Sequence, residues 1–371
     1  MEHMNRRFFL GATASLSLAS PSWARKDKQV DYSQTGATIV KGAGGTDGYH
    51  FPAEWEKHER TLMQFPSPQN WRRRDLEDAR REWAETANTI AEFEPVTMAV
   101  REQDIKAAKS MLSSQIKLIK MPLNDAWSRD SGPMILKNAS GDRRVAGFTF
   151  NGWGKKFPPY RDDQLVKGRL AAKLDMPMYQ SNLVLEGGAV AFDGQGTVLT
   201  TEECLLNSNR NPGWTKTEIE AELRSHLGVM KVLWLPRGLT PDPITDGHID
   251  GIAAFAAPGM VLLHTTDDPS DPNMQITQEA RAILESVTDA AGRKLDVVGI
   301  PLTSFDVVHM NFYICNGAII VPIAGRRSED DEPLGILREV FPHHEVKGVS
   351  GRMIGGGGGG VHCITQQVPA I

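Results

Sequence analysis

The sequence predicts an α/β fold in which one structural unit is repeated five times along the chain. In each unit a short apolar strand leads through a polar or Pro-rich loop to an amphipathic helix and a second strand, as in "VTMAV", "EQDIKAAKSMLSS" and "IKLIKMP". The helices carry apolar residues three and four positions apart, and the strands are short, β-branched and bounded by Pro or Gly. In the second half of the chain the units begin about sixty residues apart, a long period for a repeat. Five such units form either a doubly wound open sheet or a closed ring around an axis.

Composition and charge point to a globular protein that acts on a small molecule. The 371 residues are 40% apolar and 23% charged, which is enough for one large domain or two ordinary ones with a sizeable core. The net charge is −5, and the chain has no long block of like charges. We therefore expect no nucleic-acid partner, which would need a basic face. After the first thirty residues no apolar run is long enough to span a membrane, so we expect no membrane association of the mature form.

The first residues have the layout of a secretory signal. In "MNRRFFLGATASLSLASPSWA", Arg6-Arg7 precedes an apolar stretch, and a small-x-small cleavage pattern ends at Ala24. The paired arginines resemble a twin-arginine signal, and a short amphipathic helix is the alternative. We therefore predict a signal peptide over residues 1–24, a flexible lead-in over 25–48, a single catalytic domain over 49–371, and a periplasmic location.

The mature chain has an odd number of cysteines for an oxidising compartment. Cys204, Cys315 and Cys363 leave at least one thiol free, unless it pairs with another chain. Apolar residues flank Cys204 and Cys315, so we predict that both are core thiols, with a disulfide between them as an alternative. A free thiol in an oxidising compartment suggests that its reactivity matters.

Chemically active residues follow the closing strands of four of the five units. If the units form a ring, these segments occupy equivalent corners near the axis. They are "LNDAWSRDSGP", "QSNLVLEGG", "RGLTPDPITDGHIDG" and "GRMIGGGGGGVHC". We therefore predict that Asp130, Glu186, His248, Asp250 and Cys363 lie close together.

This set of residues favours nucleophilic attack on a guanidino carbon. A thiolate attacks, a histidine transfers protons near neutral pH, and a carboxylate orients the histidine. Two further carboxylates would repel a developing oxyanion, but they pair well with the planar donors of a guanidinium. The alternatives are a core role for Cys363, a surface pair of Asp130 with Arg129, and a metal site using His248 and Asp250.

Six consecutive glycines, Gly355 to Gly360, directly precede His362 and Cys363. The run is either a linker or a segment whose backbone must approach a ligand closely. Because a chemically active motif follows at once, we favour the second interpretation, in which the run brings Cys363 into a narrow pocket.

Several segments together resemble the agmatine deiminase family, which includes the bacterial-type peptidylarginine deiminases. They are "FPAEWEKHERTLMQFP", "NDAWSRDSGP", "LEGGAVAFDGQGTVLTTEECLLNSNRNP", "DGHIDG", "NFYICNGAIIVP" and "GGGGGGVHCITQQVP". The resemblance spans about residues 49 to 371. It implies the pentein fold, a pseudo-five-fold α/β propeller of ββαβ modules, with no metal and no organic cofactor.

The resemblance also implies roles for single residues. Cys363 resembles the nucleophile that forms a covalent amidino-thioether, and His248 the general acid and base. Asp130 and Asp250 resemble the guanidinium-binding pair, Glu186 the acid beside the histidine, and Trp127 the tryptophan packed near the substrate.

The implied reaction converts agmatine to N-carbamoylputrescine and ammonia, a step of putrescine and polyamine synthesis. Agmatine deiminases often have "NGHVDN" where this chain has "DGHIDG". Peptidylarginine or free arginine therefore remains an alternative substrate. An exported guanidine- or polyamine-binding protein without turnover is a further alternative, and a homodimer is left open.

Overall fold

The computed structural model describes residues 29–69, 71–72, 74–304 and 306–371. The signal peptide predicted for residues 1–24 lies outside the described residues. In the part of the chain that is described, the strands form five separate sheets rather than one. The doubly wound open sheet is therefore excluded, and the repeated-module alternative holds.

The second to fifth sheets share one plan, in which an antiparallel strand pair is extended by a parallel strand after a helical connection. Their strands are β5 (Met134–Lys137), β6 (Arg143–Thr149), β7 (Met178–Val184), β8 (Val190–Phe192), β9 (Thr197–Thr201), β10 (Lys231–Leu235), β11 (Ala253–Ala257), β12 (Met260–Thr265), β13 (Asp296–Pro301), β14 (Tyr313–Cys315), β15 (Ala318–Ile323) and β16 (Glu345–Ser350). This is the predicted ββαβ module.

The first sheet is completed by the end of the chain. Strand β17 (Thr365–Pro369) runs antiparallel to β2 (His58–Gln64), with Thr365 opposite Met63. Parallel strands β3 (Val96–Val100) and β4 (Lys117–Lys120) extend the sheet outward. The first module therefore takes its antiparallel partner from the other end of the sequence, which closes the ring.

The helices lie mainly between the parallel strands and pack against them. They are α1 (Leu76–Ile90), α2 (Ile105–Met111), α3 (Ser128–Ser131), α4 (Gly152–Lys155), α5 (Arg161–Gln164), α6 (Val166–Lys173), α7 (Glu202–Leu205), α8 (Lys216–Leu227), α9 (Asn273–Ser286), α10 (Arg327–Val340) and α11 (Arg352–Gly356). None of the helices in the described residues has the length and apolarity needed to cross a membrane.

Helix α8 shows how the local sequence sets these elements. Thr215 and Glu218 form a reciprocal capping box at its start, and Gly228 ends it in the left-handed conformation at φ 68°. Ile219 and Leu223 are buried on one face, in a core built from strands of the second and third modules. Helix spacing of the apolar residues thus sets which face meets the core.

The prediction of a flexible lead-in is wrong for residues 29–48. Val30 and Tyr32 are buried beneath α6, and a two-residue strand, β1 (Ile39–Val40), pairs with β7. The prediction rested on a polar, Gly-rich composition. The few apolar residues of the segment are enough to hold it, because each finds a place in an existing core.

Candidate active site

Loops that follow the outer strands of the five modules meet at one place. Asp130 lies on α3 after β4, Glu186 follows β7, and His248 and Asp250 follow β10. A further four residues complete the arrangement or border it: Trp127, Asn311, His362 and Cys363. All are buried, and the structure therefore brings together every residue that the sequence placed in the site.

His248 lies at the centre of three carboxylates. Its Nδ1 is 4.0 Å from Asp130 Oδ1 and 3.9 Å from Asp250 Oδ1, and its Nε2 is 3.9 Å from Glu186 Oε2. Neither ring nitrogen has a hydrogen-bond partner among the described residues. Burial acts to lower the pKa of His248, but Asp130 and the neighbouring groups outweigh it and raise that pKa well above its usual value. The imidazole is therefore protonated and can give up a proton.

A glycine leaves the space between the two aspartates open. A Cβ at Gly188 would lie 2.7 Å from His248 Nδ1, 2.8 Å from Asp250 Oδ2 and 3.0 Å from Asp130 Oδ1. Any side chain there would fill the gap that the three groups surround. The opening is lined by two carboxylates, so a small planar cation is the ligand that suits it.

Asp250 belongs to an alternating row of buried charges. Its Oδ2 accepts a hydrogen bond from His362 Nδ1 at 2.9 Å, and Glu54 Oε1 accepts one from His362 Nε2 at 2.7 Å. Arg129 Nη1 lies 2.9 Å from the same Glu54 oxygen. Only an imidazolium can donate from both nitrogens, so His362 carries a positive charge. Burial alone would raise the pKa of Asp250, but His362 outweighs it and holds that pKa below its usual value.

Glu186 has its own buried cation. Its Oε1 accepts a hydrogen bond from Arg210 Nε at 2.7 Å, and both side chains are fully buried. Burial acts to raise the pKa of Glu186, but Arg210 and His248 outweigh it and lower the pKa to about 2. Glu186 is therefore ionised and favours the protonated form of His248.

The Cys363 thiol faces Asp250 at 3.5 Å, and the backbone N–H of Cys363 donates to Asn311 Oδ1 at 3.1 Å. Burial, Asp250 and Asp130 raise the pKa of Cys363 well above its usual value. In the unliganded site the thiol is therefore protonated. A cation bound between the two aspartates would offset their charge and favour the thiolate.

The glycine run is ordered and packs tightly around the thiol. Its first two residues end α11, and Gly359 comes so close that a Cβ there would lie 2.5 Å from the Trp127 ring and 3.0 Å from Cys363 Sγ. A Cβ at Gly360 would lie 2.6 Å from Asn311. The structure thus favours close backbone approach over a linker.

One group has the spacing of metal ligands. Ligand atoms of Glu186, Cys204 and His248 all lie within 4.8 Å of one another. Because the Arg210 guanidinium already donates to Glu186 and repels a dication, we assign no metal to these residues. The three cysteines are buried free thiols, so Cys204 and Cys315 form no disulfide.

Sequence reasoning missed the residues that support the site. Asn311 comes from the corner after β13, where no site residue was predicted, and its place just before β14 was the available signal. Glu54, Trp153, Arg210 and His362 reach the site through contacts between distant segments. Nothing in their local sequence spacing indicates those contacts.

Comparisons with known proteins agree on one family. A family model described as Porphyromonas-type peptidyl-arginine deiminase matches residues 50–369. The agmatine deiminase of Stutzerimonas stutzeri is 42% identical over 366 residues, covering 90% of this chain and 99% of that protein. The solved agmatine deiminase of Enterococcus faecalis has a TM-score of 0.86 at 34% identity, covering 90% of this chain and 99% of that one.

A more distant likeness concerns the fold alone. The DDAH of Pseudomonas aeruginosa has a TM-score of 0.50 at 12% identity, covering 84% of this chain and all of that one. Together with the five ββαβ modules, these matches confirm the predicted pentein fold.

The charge around Cys363 gives a prediction for its reactivity. In Asp250→Asn the thiol loses the negative charge that raises its pKa, so its thiolate fraction at a given pH rises, about tenfold for each pKa unit. We expect faster alkylation of Cys363 by iodoacetamide between pH 6 and 9, followed by peptide mass spectrometry. Asp193→Asn, a buried carboxylate in another turn, should alkylate like the parent. Unchanged or slower alkylation of the Asp250 variant would contradict the assignment.

Proposed function

The chain belongs to the Porphyromonas-type peptidyl-arginine deiminase family, and we propose that it hydrolyses the guanidino group of agmatine to N-carbamoylputrescine and ammonia. The observation that carries the proposal is the pair Asp130 and Asp250, which flank His248 while the Cys363 thiol faces Asp250 at 3.5 Å. Two buried carboxylates beside a thiol and an imidazolium suit a cationic carbon electrophile better than a neutral acyl group.

Substrate binding prepares the nucleophile. The guanidinium lies in the opening beside Gly188 and pairs with Asp130 and Asp250. Its positive charge offsets the two carboxylates that keep the Cys363 thiol protonated, so the thiol ionises and releases its proton to solvent once the substrate is in place. The free site thereby protects its thiol, and the bound site activates it.

In the first half of the reaction the Cys363 thiolate attacks the guanidino carbon. A C–S bond forms, the C–N bond to one terminal nitrogen breaks, and His248 gives its proton to that nitrogen, which leaves as ammonia. The product is a covalent amidino-thioether. Glu186, held ionised by Arg210, supports the charged form of His248 that this step needs.

In the second half a water molecule takes the place of ammonia. His248, now neutral, removes a proton from the water as it attacks the same carbon. The C–S bond then breaks, and Cys363 leaves as a thiolate. The thiolate takes up the remaining proton of the attacking water, so the neutral ureido product, the Cys363 thiol and protonated His248 result. No redox step and no metal-bound intermediate is needed for these bonds to be exchanged.

The relatives that the chain resembles over nearly its full length are named agmatine deiminases. This favours agmatine over other guanidines as the substrate. The family model is named for peptidyl-arginine deiminase, which keeps arginyl peptides as the second candidate substrate. The chemistry at the guanidino carbon is the same for both, so the choice concerns only what lies at the other end of the substrate.

Ammonia release from agmatine by purified residues 25–371 tests the proposal. We expect release by the parent and none by Cys363→Ala, because the variant lacks the attacking thiol. Arginine and arginyl peptides assayed in parallel identify the preferred guanidine. Turnover of arginyl peptides but not of agmatine would show that peptidyl-arginine is the substrate. A parent that binds guanidines without releasing ammonia would instead make the chain an exported binding protein.

The opening between the aspartates gives a second test of the same function. In Gly188→Ala the added Cβ meets His248, Asp250 and Asp130, so it occupies the space of the guanidinium. We expect at least a hundredfold loss of kcat/KM for agmatine, on the order of the losses that misplacement at a reacting centre causes. Gly251→Ala is the matched control, because a Cβ there meets nothing within 4 Å. Equal activities of the two variants would place the substrate elsewhere.

We also propose that the chain is exported through a twin-arginine signal to the periplasm, on the basis of Arg6-Arg7 and the apolar stretch that follows. Arg6→Lys/Arg7→Lys in the full chain should leave an unprocessed precursor in the cytoplasm, measured by fractionation and the mass of the product. Normal processing of the double variant would contradict this route.

A further inference from the structure

A loop in the second module has an unusual backbone. Gly152, Trp153, Gly154 and Lys155 have φ values of 68°, 52°, 79° and 64°. Positive φ is uncommon for any residue with a Cβ, and it is strained for one as bulky as tryptophan. Trp153 and Lys155 carry a Cβ, so surrounding contacts must hold them in this conformation.

The strained tryptophan contacts the candidate active site directly. Trp153 Nε1 donates a hydrogen bond to Asp130 Oδ2 at 2.8 Å, and the Gly188 N–H donates to Asp130 Oδ1 at 3.0 Å. Both carboxylate oxygens are thus fixed by N–H donors. The indole is buried, with the rings of Phe150 and Phe157 packed edge-on at centroid distances of 5.0 and 5.8 Å. The ring therefore cannot turn away from Asp130 without breaking this packing.

The same loop also contacts the ion pairs on the Glu186 side of the site. Lys156 Nζ donates to Asp246 Oδ1 at 2.6 Å, and Arg210 donates to Asp246 Oδ2 at 2.6 Å. Arg210 in turn donates to Glu186. The loop that contacts Asp130 is therefore connected to Glu186 through three successive ion pairs.

Close packing fixes the loop against this ion-pair chain. A Cβ at Gly154 would lie 2.5 Å from Asn209 Cγ and 2.8 Å from Arg210 Nη1. The Asn151 side chain accepts from the Gly154 N–H at 2.8 Å and donates to the Asn209 carbonyl at 3.0 Å. These contacts offset the backbone strain and set the position of Trp153.

We propose that Trp153 is a positioning residue of the active site, whose indole N–H holds the Asp130 carboxylate in the orientation that binds the guanidinium. The strained loop serves to place that single donor. This inference deepens the proposed function and rests on it for its substrate. It assigns Trp153 a task distinct from that of Trp127, whose indole donates instead to Asp125.

Trp153→Phe isolates the donor, because it keeps an aromatic ring and the same backbone strain. It removes one hydrogen bond to a charged group, which predicts a rise in the KM for agmatine on the order of tenfold to a hundredfold, with a smaller change in kcat. The matched control is Trp234→Phe, which removes an indole N–H that donates to the Glu220 carboxylate at 2.9 Å on β10. The control should keep the parent's KM.

The pH profile gives a readout that a purely structural role would not move. The Trp153 N–H favours the ionised form of Asp130, so its loss raises the pKa of that carboxyl. Guanidinium binding needs the ionised form, so the acid limb of kcat/KM should move to higher pH in Trp153→Phe. The groups that also face Asp130 are His248, Asp250, Glu186 and Lys167, and the substitution leaves all of them in place.

Binding measurements separate this inference from the proposed function. Agmatine affinity is measured by calorimetry in Cys363→Ala and in Cys363→Ala/Trp153→Phe. If the parent turns over agmatine but Trp153→Phe keeps its KM and acid limb, the inference is overturned and the function stands. If the parent releases no ammonia but the double variant binds agmatine at least tenfold more weakly than Cys363→Ala, the inference stands and the function fails.

A folding defect in Trp153→Phe would not end the test. Incorporation of 3-benzothienylalanine at position 153 replaces the indole N–H by sulfur at nearly constant ring size, so packing is preserved. The same rise in KM is expected from this replacement. Parent-like kinetics and parent-like agmatine affinity with the sulfur analogue would overturn the proposal.

Discussion

Repulsion among buried carboxylates is the constraint on which the active site depends. Asp130, Asp250 and Glu186 surround one imidazole at about 4 Å, and their burial removes most of the solvent that would stabilise their charges. Each therefore needs its own compensation. Glu186 is hydrogen-bonded to Arg210 and Asp250 to His362, whereas Asp130 accepts from two neutral N–H donors and shares His248 with the other two carboxylates. Asp130 is also the one of the three whose pKa lies above its usual value, because burial outweighs the groups that lower it. A bound guanidinium supplies the positive charge that compensates Asp130.

The ring of modules explains how so many charges reach one buried point. Each corner contributes one or two polar groups, and the compensating cation usually comes from a different module or from a segment far away in sequence. Glu54, for example, precedes β2 but meets His362 and Arg129. A site built from one continuous segment could not bury so many charged groups together without leaving some unpaired. Here each module carries only a small share of the charged groups, and the apolar clusters that neighbouring modules share remain intact.

The sequence indicates which structural units repeat, but it does not indicate which side chains pair across the boundaries between those units. The strand, helix and strand pattern predicted the modules, and the equivalence of their corners predicted Asp130, Glu186, His248, Asp250 and Cys363 as neighbours. The partners Arg210, His362 and Trp153 depend on side-chain directions across module boundaries, which no period in the sequence encodes. The lead-in was misjudged for a related reason, since its burial depends on a core formed by other segments.

The closure of the ring by β17 links the chemistry to the order of folding. Cys363 lies two residues before this strand, and Thr365 pairs with Met63 from the opposite end of the fold. Contacts so distant in sequence are entropically expensive to form early. The second to fifth modules can each assemble from local segments. The nucleophile is positioned only when the first and last parts of the chain pair. Chains in which β17 is still unpaired therefore lack a positioned thiol, and a reactive cysteine is not assembled ahead of the structure that shields it.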